Sequence, residues 1–69
     1  MVIYITDEEE NEVIRIEEVD EENNDFRIGV YDEVKRKLIK TFDEKNNMEK
    51  ILTFADKYFD KNYKGKGKK

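Results

Sequence analysis

Eleven of the first 25 residues carry carboxylates, most of them in two runs. Asp7-Glu8-Glu9-Glu10 with Glu12 forms the first, and Asp20-Glu21-Glu22 with Asp25 the second. Carboxylates at such density allow acid–base chemistry, cation binding or contact with a basic surface. Paired acid–base carboxylates need a cleft to hold a substrate, and a chain of 69 residues rarely encloses one. The remaining catalytic inventory is thin. Cys, His and Ser are absent, and the only hydroxyls are Thr6, Thr41, Thr53 and the four tyrosines. Nucleophilic catalysis by Cys or Ser is therefore excluded, and no imidazole base exists. Lys64-Gly65-Lys66-Gly67-Lys68 has glycines and lysines but not the strand–loop–helix setting of a phosphate loop. The chain is expected not to be an enzyme.

The metal reading is equally weak. Without Cys or His a transition-metal site of the usual kind is ruled out. The oxygen-rich stretch from Asp20 to Asp25 suits Ca²⁺ in ligand type. It lacks the alternating ligands, the central Gly and the distal Glu of a calcium loop. The expectation is no metal and no cofactor.

Charge is divided along the chain. Residues 1–25 hold eleven acids and one base (−10); residues 26–69 hold seven acids and thirteen bases (+6), which gives the net −4. The plain meaning of such runs is solvation of a small domain. The sharper meaning is an anionic face that takes the place of DNA phosphates in a Lys/Arg groove, since duplex DNA carries one charge per roughly 1.7 Å. Glu8, Glu9, Glu10, Glu21, Glu22 and Asp25 are the candidate protein-binding residues on that reading. Lys, Asn, Ile, Tyr and Phe, all A/T-rich in their codons, make up 32 of the 69 residues. In size, charge layout and this codon bias the chain resembles small acidic phage-encoded inhibitors of restriction, CRISPR or repair enzymes. That resemblance implies a phage or mobile-element product acting as a DNA mimic on a basic nucleic-acid-handling protein.

These residues must be positioned by a small set of elements. Val2–Thr6 is β-branched and aromatic and reads as a strand. Glu12–Val19 alternates, with Ile14 and Ile16 on one face and Val13, Arg15 and Glu17 on the other. Phe26–Tyr31 alternates again, with Phe26, Ile28 and Val30 inward and Arg27, Gly29 and Tyr31 outward. Leu38–Phe42 is the fourth strand, chosen over a helix through 32–42. Short polar turns at 7–12, 20–25 and 32–37 join them; Asn23 and Asn24 in the second tolerate left-handed angles. From Asp43 to Asn62 the period becomes helical, with Met48, Ile51, Leu52, Ala55 and Phe59 on one stripe and Phe54 and Tyr58 at its edge. Either Asp43 or an Asn46–Glu49 capping box starts this helix. Residues 63–69 read as a disordered basic tail after a single domain spanning 1–62.

The expected fold is α+β: a four-stranded antiparallel meander, β-β-β-β-α, with one C-terminal helix on one face. The other face would stay open and show Tyr4, Arg15, Arg27 and Tyr31, with Gly29 marking a bulge or close approach and Lys40 beside them. Aromatics and arginines on an open sheet are also a means of stacking single-stranded nucleic acid. A nucleic-acid-binding module using these four residues and the tail lysines is the alternative function. Burial of that face in a homodimer is the third. The Tyr31-Asp32 turn, Phe42 and the following helix also loosely resemble the arm-binding modules of phage integrases. No apolar run approaches the length of a membrane span. The N-terminal stretch has no basic region or cleavage site of a signal peptide, so a cytoplasmic protein is expected.

Overall fold

The computed structural model describes residues 1–43 and 48–64. Four strands, β1 (Val2–Thr6), β2 (Glu12–Asp20), β3 (Asp25–Asp32) and β4 (Lys37–Phe42), form one sheet in the order β1-β2-β3-β4. All three ladders are antiparallel. One helix, α1 (Met48–Phe59), follows and continues into a π-helical turn, Asp60–Lys64. This is the α+β meander expected from the alternation of the strands. The residues proposed for the helix cap fall partly on 44–47, which lie outside the described residues. Among the described residues no helix is long and apolar enough to cross a membrane.

Each turn has its own backbone device. Asp7 accepts the Glu9 and Asn11 N–H groups and the Asn11 side-chain amide, closing the β1–β2 turn. A 3-10 turn, Glu21–Asn23, joins β2 to β3 and ends on Asn24 in the left-handed region, φ 63°. The β3–β4 turn closes on Asp32, whose carbonyl accepts the Arg36 N–H at 2.7 Å. Arg36 is left-handed too, φ 61°.

The core is where the helix stripe meets the inner row of the sheet. Ile14, Ile16, Ile28 and Val30 from β2 and β3 and Ile51 and Ala55 from α1 are fully buried. Ile3, Ile5, Phe42, Met48, Phe54, Tyr58, Phe59 and Tyr63 pack around them. Burying an Ile or Phe side chain contributes about 1.5–3 kcal/mol each, so this cluster is the main source of stability.

Every ladder contains a bulge, and the bulges decide which side chains face inward. In β1–β2 the partners step from Ile5↔Ile14 to Thr6↔Glu12, so Val13 is the extra residue. Val13, expected on the open face, is accordingly buried at 3% exposure beside Ile14. In β2–β3 the step from Glu18↔Ile28 to Asp20↔Asp25 puts the extra residue in β3. The inward parity therefore breaks between Ile28 and Phe26, and Phe26, expected in the core, is 47% exposed. In β3–β4 the extra residue is Ile39, and Lys40 lies opposite Val30 on the helix side. Lys40 thus leaves the open face; its Nζ sits 5.4 Å from the Phe42 ring centre.

The helix stripe is rotated from its expected centre. Leu52, expected in the core, is 37% exposed. Phe54 is drawn in instead, edge-on to Phe42 at 5.8 Å and stacked on Tyr58 at 6.5 Å. Phe54 reaches across to Phe42 of β4, and Tyr58 extends the aromatic contact behind it.

The rotation also serves a polar contact. Asp32, which the sequence places in a turn, is the last residue of β3 and is fully buried. Its Oδ1 accepts the Val34 and Lys35 N–H groups at 2.9 and 2.8 Å. Its Oδ2 accepts the Tyr58 and Tyr63 hydroxyls at 2.7 and 2.6 Å. Tyr63, expected at the start of the tail, is therefore part of the domain. The rest of the expected tail, 65–69, lies outside the described residues.

Burial pushes the Asp32 carboxyl up, but the Tyr63, Lys35, Tyr58 and Val34 hydrogen bonds outweigh it and hold it below its ordinary value. Burial, then the bond to Asp32, pushes the Tyr58 hydroxyl up to about 12, and Tyr63 moves the same way.

Two predictions follow from this cluster. Replacing Asp32→Ala strands two hydroxyls and two N–H groups and is expected to cost roughly 3 kcal/mol in urea unfolding, with Tyr58→Phe and Tyr63→Phe costing about 1–2 kcal/mol each. A chain of this length holds only about 3–10 kcal/mol in total, so the aspartate variant is expected to melt near room temperature. The second concerns pH. Asp32 is depressed in the folded state, so its contribution is complete above the ordinary value of 3.8 and fades as pH falls through the lower folded value. Tyr58 is raised, so its contribution is complete below the ordinary value of 10.0 and fades as pH rises toward about 12. Thermal melts across this range should show both losses, and Tyr58→Phe should reduce the alkaline one.

Candidate interaction surface

The six acidic candidates are carried by two turns and one strand end. Glu8, Glu9 and Glu10 are exposed on the β1–β2 turn, which Asp7 organises. The Asn11 and Glu9 N–H groups that Asp7 accepts hold its carboxyl below the usual value, with the Asn11 backbone contact the largest cause. Glu21 and Glu22 are exposed on the 3-10 turn after β2. Consecutive turns of a meander lie at opposite ends of the sheet. The nine residues of β2 separate these two by about 30 Å at ~3.3 Å per residue. The six residues therefore do not form one continuous face. They form two poles.

Asp25 differs from the other five. It is half-buried at the start of β3, and Arg27 clasps it through Nε at 2.9 Å and Nη2 at 2.6 Å. The Arg27 hydrogen bonds are the main cause of its lowered pKa. A carboxylate already neutralised within the chain is a poor anchor for a foreign cation. Near the same pole, Met1, Val2, Glu17, Glu18, Val19, Asp20, Glu21 and Glu22 line a shallow depression of about 370 Å³. Its walls are acidic, and it includes the carboxylate of Glu18, which accepts the Met1 amino group at 3.3 Å.

The four residues proposed for nucleic acid lie on the open face as expected. Register places Tyr4, Arg15 and Tyr31 in one row across β1, β2 and β3. Arg15 stands over the Tyr31 ring at 4.1 Å from its centre. The same guanidinium donates to Glu33 at 3.0 Å and pairs with Glu17 at 3.1 Å. One face of Tyr31 is covered by Arg15, and both cations of the set are matched by carboxylates of the same chain. Tyr4, 41% exposed, keeps an accessible ring. A second shallow depression of about 600 Å³, between Arg15, Tyr31, Glu33, Arg36 and Leu38, is mixed in charge.

Tyr31 can lie flat only because residue 29 is glycine. A Cβ there would sit 2.9 Å from Tyr31 Cε1 and 3.0 Å from its Cζ and hydroxyl. The expected close approach is thus to a side chain, two residues along the same strand. Glu33, the second partner of Arg15, was not singled out in the sequence, where it reads as one more turn acid. Asp32 was missed for the same reason. The available signal is the pair of tyrosines, Tyr58 near the end of α1 and Tyr63 in the turn that follows it.

Among the described residues no group of three or more acidic side chains is placed to hold a metal ion. No protein-family model, curated protein or solved structure matches the chain. The reading of this surface rests on its own residues.

Gly29→Ala is expected to lift the Tyr31 ring and separate it from Arg15. The ring's far end can move, so the cost should be about 1 kcal/mol. The ring-current shift on the Arg15 δ protons reports the change; an unaltered shift would contradict this account.

Proposed function

We propose that this chain is a non-enzymatic interaction protein that offers its carboxylates to the basic surface of a nucleic-acid-handling protein, and so inhibits or regulates it. The observation that carries this reading is the pairing of the open-face arginines. Arg15 is matched by Glu17 and Glu33, and Arg27 by Asp25. What β1, β2 and their turns present outward is therefore anionic. Among the described residues no cation pairs with Glu8, Glu9, Glu10, Glu21 or Glu22.

The two-pole arrangement supports a modified DNA-mimic reading. A separation of about 30 Å is close to one duplex turn of ~34 Å, the repeat at which a DNA-binding protein meets the same strand again. Two anionic turns held apart by a stiff strand suit a partner with two basic patches. The setting implied is the cytoplasm of a cell carrying a phage or mobile element. The alternative of a nucleic-acid-binding module loses support from the same pairing, because phosphate contacts need available cations. Tyr4 alone is a small stacking platform.

The test is reversal of each pole. The protein is immobilised, basic DNA-handling proteins are captured from a low-GC bacterial lysate, and the affinity of the recovered protein is measured. Replacing Glu8, Glu9 and Glu10 by Lys, or Glu21 and Glu22 by Lys, should weaken binding at least about tenfold, and raising salt from 50 to 200 mM should do likewise. Asp25→Asn should have a smaller effect. Binding that survives reversal of both poles would sink the reading.

A further inference from the structure

We propose that the outer edge of β1, which pairs with no strand among the described residues, receives an extended basic segment of the partner as a fifth strand of the sheet; this rests on the acidic-surface reading above and names how the partner is held. The sheet has two edges, β1 and β4. They are built differently. β4 carries Lys37 and Lys40 and the bulge at Ile39, all of which discourage pairing with another strand. β1 reads Val2-Ile3-Tyr4-Ile5-Thr6, with no charge and no proline. The bulge in its ladder places the extra residue in β2, so β1 itself stays regular. Alternate N–H and C=O groups of such a strand point away from the sheet, ready for another chain.

Both faces of this edge offer apolar surface. Val2 and Tyr4 are exposed on the open side. Ile3 and Ile5 are half-buried on the helix side, at the border of the core. A fifth strand would extend the cover over all four.

Charge selects the occupant. Asp7, Glu8, Glu9 and Glu10 stand beyond one end of β1. At the other end Val2 faces Glu17, and Asp20, Glu21 and Glu22 lie beyond it. A second copy pairing antiparallel through β1 would set each acidic turn beside the acidic end of its twin. Like charges so placed oppose the contact. A segment with uncharged β-formers in its middle and Lys or Arg at both ends meets no such repulsion. Its centre would span the five residues of β1, about 17 Å.

The test uses two synthetic peptides of equal charge. The first is acetyl-Lys-Lys-Val-Thr-Val-Thr-Val-Lys-Lys-amide; the second has proline for its central valine and cannot complete a strand ladder. Each is titrated at low salt into the ¹⁵N-labelled protein. The strand peptide is expected to bind at least about tenfold more tightly, to shift the amides of Val2–Thr6 and to slow their exchange with solvent. Equal binding of both peptides, with shifts confined to the two acidic turns, overturns edge pairing while leaving the acidic reading standing. Binding of neither peptide overturns edge pairing, and the pole-reversal measurement then decides the acidic reading separately. Concentration-dependent dimerisation of the protein alone, with the Val2–Thr6 amides protected, also overturns it, by making a second copy the occupant.

Discussion

The Asp32 carboxylate is the contact on which the arrangement of this molecule depends. It joins three parts of the chain: the end of β3, the turn into β4 and the C-terminal end of the helical segment. Removing a carboxylate from water costs several kcal/mol unless its lone pairs are all met. Here each oxygen accepts two hydrogen bonds, and together they outweigh the effect of burial on its ionisation. Because two of the four donors are tyrosines from the helical segment, the contact also sets the rotation of α1. That rotation turns Phe54 toward Phe42 and leaves Leu52 at the surface. Apolar packing alone accepts several rotations of a helix on a sheet; a buried carboxylate with fixed partners accepts far fewer.

The surface follows from a second constraint, the register of the bulged ladders. Bulges shift the facing of Val13, Phe26 and Lys40, while the regular pairs Tyr4↔Arg15 and Arg15↔Tyr31 bring those three side chains into line. Gly29 then lets Tyr31 lie down, Arg15 covers it, and Glu17 and Glu33 hold Arg15 in place. Exposed ion pairs of this kind stabilise little, on the order of 0–1 kcal/mol. Their larger effect is on charge: they neutralise the open face and leave the turns as the regions of strong potential.

The division of charge along the chain becomes a division across the sheet. The acidic runs belong to the β1–β2 side, while Lys35, Arg36, Lys37 and Lys40 belong to β4 and its turn at the other edge. A meander makes this translation directly, since strand order in space repeats strand order in sequence.

Much of this was legible in the residues. Alternation gave four strands, the change of period gave the helix, and short polar turns required antiparallel neighbours. The absence of Cys, His and Ser bounded the chemistry. These are local properties, set by side-chain period and by the elements present. Two things were not legible. The facing of Val13, Phe26 and Lys40 depends on bulges, which arise from the fit of two strands and leave no mark in either one. The role of Asp32 depends on Tyr58 and Tyr63, 26 and 31 residues away, and a turn-forming aspartate looks the same in sequence whether or not a helix comes back to cover it. Composition and periodicity determined the elements and the chemistry available to them. Only tertiary structure decided which charges cancel and which remain, because cancellation requires two groups within about 3–4 Å and sequence separation carries no such distance.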